Sequence, residues 1–179
     1  MLEVKFYKVR NVKLPRKNVE SDAGIDFFIP EKEESFIEDL RAKNKRVYVE
    51  GNSIVFQDTN NILIPSGIKS IIPQGYCLVA FNRSSVSSKI GLDIGACVID
   101  EAYRGEIHLH FFYTKNEPLV LEFGQKIAQF LLLPVPKIQI TELDQYPSDL
   151  EDRGGGFGSS DKKEVSYAWT KNNRRPFTN

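Results

Sequence analysis

Apolar stretches along the chain are short, and most alternate with polar residues at a period of two. VKFYKV (4–9), RVYVEGNSIVF (46–56), NILIP (61–65), SIIP (70–73), YCLVAF (76–81), EIHLHFFY (106–113) and IAQFLLLPV (127–135) each predict a β-strand. In EIHLHFF, Ile107, Leu109 and Phe111 fall on one face while His108 and His110 fall on the other. Glycine and proline punctuate the runs (IPSG, IPQG, NEPL, EFGQ), the spacing of a sandwich or barrel. Pro134 and Pro136 end the last strong strand, because proline has no N–H to donate to a ladder. The pattern predicts an all-β fold.

Residues 31–45, EKEESFIEDLRAKNK, break the alternation. Phe36, Ile37 and Leu40 sit at helical spacing, and Ser35-x-x-Glu38 reads as a capping box. A short amphipathic helix is expected, its charges forming a solvated face, followed by a hairpin through Glu50-Gly51-Asn52. After about Pro147 the chain turns polar and glycine-rich, too poor in apolar surface to order itself. The expected organisation is a β core over 1–147, carrying a helix and hairpin at 31–55, and a flexible arm over 148–179.

The length of 179 residues suits one domain. Lys and Arg number 24 against 24 Asp and Glu, a balance that argues against a stable nucleic-acid binder. No apolar run approaches the roughly 20 residues of a membrane helix, and the N-terminus lacks a signal-peptide core, so neither membrane binding nor secretion is expected. Cys77 and Cys97 are too few for a disulfide scaffold, which points to a reducing cytoplasm, or a host-cell cytosol or nucleus if the source is viral. His108 and His110 are a conceivable metal pair. Zinc needs at least about three protein ligands, however, and nothing nearby in sequence supplies the rest. Walker A, HExxH, paired CxxC and GxSxG patterns are absent.

Four segments place polar residues where apolar strands would otherwise run: DAGIDFF (22–28), NRSSVSSK (82–89), ACVIDEAYRGE (96–106) and RGGGFGSS (153–160). Arginine and serine beside backbone N–H groups are what polyphosphate oxygens require. A lone carboxylate such as Asp100 can orient and deprotonate a water, and an aromatic on a glycine arm can stack on a base. Singly, each has a plainer alternative: Asp100 shaping a turn, the Arg-Ser cluster capping a short helix, the glycine loop serving as a linker. Together and in this order they are far more specific.

The ordered set AGID, NRSSVSSK, GACVIDEAYRGE, FGQKIAQFLLLP and RGGGFGSS resembles the five motifs of the trimeric dUTP pyrophosphatase (dUTPase) family, over about residues 4–160. The resemblance implies a distorted jelly-roll (β-clip) protomer and a homotrimer with active sites shared between subunits. It implies hydrolysis of dUTP to dUMP and pyrophosphate with Mg2+ held mainly by the triphosphate rather than by protein ligands. Asp100 is then the general base. Tyr103 packs on the deoxyribose, and Arg83, Ser84, Ser85 and Gln129 hold phosphates. The stretch 94–99, with Ile94 and Val98, and the opposing strand near His108 form a hairpin that reads uracil. Asp26 supports the second motif, while a neighbouring subunit lends Arg153 to the γ-phosphate and Phe157 to the base.

Some positions depart from the family's usual pattern. Asn82 stands where proline is usual, Ser85 and Cys97 where glycine is, and His108 where small or apolar residues are common. Three glycines, rather than four residues, separate Arg153 from Phe157. The segment 31–55 is longer than usual and is read, like the tail after 160, as surface decoration. Two rivals are a dCTP deaminase or bifunctional relative, disfavoured because His110 stands where that branch carries a glutamate, and a non-catalytic nucleotide-sensing or partner-binding trimer.

Overall fold

Alternating residues resolve into strands wherever one face finds the core. The computed structural model describes residues 2–57 and 60–151. In chain order these hold β1 (Lys5–Lys8), β2 (Ile25–Phe28), α1 (Glu34–Lys43), β3 (Val47–Glu50), β4 (Ser53–Phe56), β5 (Ile62–Pro65), β6 (Ile68–Ile71) and β7 (Tyr76–Phe81). A single π-helical turn, Val86–Ile90, follows, then β8 (Leu92–Ile94), β9 (Val98–Ile99), β10 (His108–Tyr113), β11 (Leu119–Glu122) and β12 (Lys126–Pro134). Neighbouring strands run β1-β6, β5-β10-β8, β11-β4-β3 and β2-β12-β7-β9, all antiparallel. This is a jelly-roll-like β fold with one short helix. Among the described residues no helix is long and apolar enough to cross a membrane.

The chain divides into a compact unit, Met1–Ile138, and a second, Gln139–Asn179, whose described residues (139–151) form no helix or strand. All strands among the described residues belong to the first unit and enclose one apolar core. Ile107, Leu109 and Phe111 point into it at 0–1% exposure, as their period requires. The Phe27 and Phe130 rings meet within it, tilted by 43° with centroids 4.4 Å apart.

The 31–55 segment differs from its expected role as decoration. Phe36, Leu40, Ile54 and Phe56 are fully buried in the same core, because the helix lays its apolar stripe over β5 and β3 while β4 pairs with β11. The capping box does not form either. The helix starts after Glu33, so Ser35 lies inside the first turn, and the Glu33 carboxylate instead accepts the Asn11 backbone N–H at 3.3 Å. At the other end Asn44, 5% exposed, donates to the carbonyls of Leu40 and Leu63 and accepts the Leu63 N–H at 2.9 Å, stitching the helix to β5. Asn44→Ala removes that stitch and strands the half-buried Leu63 amide. A loss of about 1–3 kcal/mol in urea unfolding is expected, with the slope unchanged.

Candidate functional site

Two open cavities collect the polar residues singled out in the sequence, and they share no residue. The first, about 460 Å³, is lined by Asp22, Gly24, Asp26, Arg83, Ser84, Lys126 and Gln129, among others. Strand pairing builds it: Gln129 on β12 lies directly opposite Asp26 on β2 and Phe81 on β7. The register shifts between Lys126 and Ala128, so Ile127 is an extra residue and both Ile127 and Ala128 point inward at 0% exposure. That bulge brings Lys126 and Gln129, three residues apart, to one cavity. In a regular strand they would face opposite ways.

Asp26, 7% exposed, holds two cations at once. One carboxylate oxygen accepts from Arg83 Nε at 2.9 Å and the other meets Lys126 Nζ at 2.7 Å. Arg83 also donates to the Lys126 carbonyl at 3.3 Å, so its fork is fixed while one edge faces the cavity. Gln129 donates to the Asn82 carbonyl at 2.8 Å, with its amide oxygen so close over Gly24 that a Cβ there would collide with it. Ser84 lines the cavity. Ser85 is exposed beside it and begins the π-helical turn, which Gly91 closes at φ +90° by donating to the Val86 and Ser87 carbonyls. The Arg-Ser cluster therefore does open a short helix.

The second cavity, about 430 Å³, is lined by Asn61, Val98, Asp100, Tyr103, His108 and His110, among others. Asp100 is exposed at the end of β9, and its carbonyl accepts the Tyr103 N–H at 3.1 Å, closing a turn. The Tyr103 ring crosses Gly105, where a Cβ would strike its hydroxyl, and that hydroxyl donates to the Glu106 carbonyl at 2.8 Å. His110 accepts the Ala96 N–H at Nδ1 (2.7 Å), so its proton sits on Nε2, 2.6 Å from the Asn61 side-chain oxygen. His108 Nδ1 lies 2.9 Å from the Glu106 carbonyl and must donate to it, which in the neutral ring makes Nε2 the acceptor. Ile94 reaches neither cavity. It pairs with Phe111, and its N–H donates to Asn82 Oδ1 at 2.7 Å. Arg153 and Phe157 lie outside the described residues.

Among the described residues no three carboxylate, imidazole or thiol groups converge as a metal cage. The first cavity's charges balance, Arg83 and Lys126 against Asp22 and Asp26. Its donors are positioned for anionic oxygens, but it cannot by itself neutralise a triphosphate, and a cation carried in by that triphosphate suits it. Lys126 was missed by sequence reasoning, since only the bulge turns it toward Gln129; a basic residue within FGQKIAQF was the available signal.

A family model described as dUTPase matches residues 46–161. The chain belongs to the dUTPase family. The deoxyuridine 5'-triphosphate nucleotidohydrolase of Finegoldia magna is 31% identical over 160 residues, covering 88% of this chain and 97% of that protein. That of Fusobacterium nucleatum is 29% identical over 164 residues, covering 90% and 98%. A solved structure of the Staphylococcus bacteriophage 80alpha dUTPase with dUPNHPP superposes with a TM-score of 0.66 at 22% identity, covering 88% of this chain and 98% of that one. For this family member, Lys126→Met should weaken pyrophosphate binding, read by titration calorimetry, by about ten- to a hundredfold, the worth of one hydrogen bond to a charged group.

Proposed function

We propose that this chain hydrolyses dUTP to dUMP and pyrophosphate with Mg2+, and that each active site is shared between copies of the chain in a homotrimer. The observation that carries the reading is the division of the site's chemistry between two cavities with no residue in common. Strands β2 and β12 serve the first, and β9, at the opposite edge of the same four-stranded sheet, serves the second. From β2 to β9 is three strand spacings, about 14 Å. Apposing one copy's Arg83–Gln129 cavity to another copy's Asp100–Tyr103 cavity assembles both halves around one nucleotide.

In this reading Arg83, Ser84, Ser85 and Gln129 grip the phosphates, and Asp26 acts on them by holding Arg83 and Lys126 in place. Asp100 takes a proton from water as the water oxygen bonds to the α-phosphorus. The bond from that phosphorus to the bridging oxygen breaks, and pyrophosphate leaves with the electron pair. Bound to the triphosphate, Mg2+ supplies positive charge that the balanced cavity lacks. Tyr103, held over Gly105 by its bond to Glu106, closes against the deoxyribose and leaves no room for a 2′-hydroxyl. Ile94, Val98 and His108 belong to the hairpin region that reads uracil. The arm over 148–179 brings Arg153 and Phe157 from a neighbouring copy. The deaminase alternative finds no support at His110, whose two ring nitrogens are both engaged.

Purified protein with dUTP, dCTP or UTP and Mg2+ should yield dUMP and pyrophosphate from dUTP alone. Asp100→Asn should lower kcat by at least about 100-fold, the usual worth of a positioned base. Because Asp100 is exposed, the melting temperature should hold. Conversion of dCTP to a uracil nucleotide would overturn the reaction assigned. Light scattering should give three times the 20.4 kDa chain, and a monomer that retains turnover would overturn the shared site.

A further inference from the structure

Nothing in the reaction above uses Arg10 or the side chain of Glu106, yet the two form the best-connected ion pair among the described residues. Arg10 presents Nε to one Glu106 oxygen and Nη2 to the other, both at 2.9 Å, with the two side chains only 12% and 14% exposed. The Gly67 N–H adds a third bond to the same carboxylate at 2.7 Å. From the opposite side Asp39 of α1 takes Arg10 Nη2, and the Ser35 carbonyl accepts from Nη1 at 3.5 Å. The hydrogen bond to Glu106 raises the guanidinium's hold on its proton, outweighing the opposing effect of burial.

The main chain of the same glutamate holds two side chains that line the second cavity. Its carbonyl accepts from Tyr103 Oη at 2.8 Å and from His108 Nδ1 at 2.9 Å. The peptide that carries this carbonyl continues into Ile107 N–H, which donates to the Ile68 carbonyl at 2.8 Å. A trans peptide points its C=O and N–H in opposite directions, so fixing the Ile107 amide and the Glu106 side chain fixes where the carbonyl aims. His108 Nε2, buried and without a hydrogen-bond partner among the described residues, takes its acceptor character from the same contact.

We propose that Arg10 and Glu106 are positioning residues that set Tyr103 and the tautomer of His108, and that α1 is tied into the nucleotide pocket through Asp39. The consequence for substrate choice rests on Tyr103 facing the sugar, as proposed above; the consequence for His108 does not. Helix α1 then does more than fill the core. It closes a charged chain, Asp39–Arg10–Glu106, that ends on two groups lining the cavity.

The chain has two histidines, so imidazole 15N spectra of the full-length protein resolve both. The wild type should show His108 protonated at Nδ1 and His110 at Nε2, the latter an internal control. Glu106→Gln should move His108 to a mixture of tautomers with His110 unchanged. It should also reduce the preference for dUTP over UTP in kcat/KM by about tenfold, mainly through KM, well short of the roughly 100-fold cost of a 1 Å misplacement. Asp39→Asn, at a half-exposed position, should shift both readouts in the same direction by less, and carries the test if Glu106→Gln fails to fold. A variant that melts earlier while His108 and the preference stay unchanged would overturn the proposal, leaving a purely structural ion pair. If His108 shifts but Tyr103→Ala leaves the preference intact, the sugar-facing reading of Tyr103 fails and the positioning role stands.

Discussion

Strand β12 is hydrogen-bonded along both edges, to β2 and to β7, and it carries one residue too many. A strand held on two sides cannot slip without turning its side chains to the wrong face, so the surplus is absorbed locally as the bulge at Ile127. The layout of the first cavity follows from that. Ile127 and Ala128 both sink into the core, Gln129 comes to lie opposite Asp26, and Lys126 swings to the same side as Gln129. The carboxylate between the two cations then holds their side chains in place. Without it, the two like charges would face each other unscreened by any carboxylate between them.

The two cavities differ in what makes them specific. In the first, donors are held by charged contacts and the net charge is balanced, so what the cavity offers an anion is the direction of its N–H groups rather than an overall positive field. In the second, neutral contacts do the work. A tyrosine lies on a glycine, two imidazoles are locked in opposite tautomers, and an exposed carboxylate stands at the end of a short strand. Exposure suits a group that must meet water. Locked imidazoles suit a surface that must tell a donor from an acceptor.

Much of the fold was legible because period-two alternation has one structural solution when one face is apolar, and EIHLHFFY folds as its pattern requires. The helix was legible from Phe36, Ile37 and Leu40, which are buried as expected. Its start was not, because the Glu33 carboxylate is committed to Asn11, a contact across 22 residues that no local window contains. The same limit hid Lys126, whose direction depends on a bulge, and the pairing of Arg10 with Glu106 across 96 residues. Asp100, Tyr103, Arg83 and Gln129 stood out by resemblance. Their division between two cavities did not, since motif order along a chain says nothing about which sheet edge each motif reaches. Ile94 lines neither cavity, and its N–H is engaged by Asn82.

Asn82 occupies a position where relatives usually have proline, and here its side chain is a suture. Nδ2 donates to Asp93 Oδ1 at 2.9 Å and Oδ1 accepts the Ile94 N–H at 2.7 Å, while Ser87 Oγ donates to the same Asp93 oxygen at 2.6 Å. A proline would stiffen the backbone but supply neither of the two Asn82 bonds, leaving the Ser87–Asp93 contact alone to tie the turn to β8. Redesign toward the family average, often a route to sturdier proteins, would therefore loosen this chain at that point, because Asp93 and the Ile94 N–H would each lose a partner.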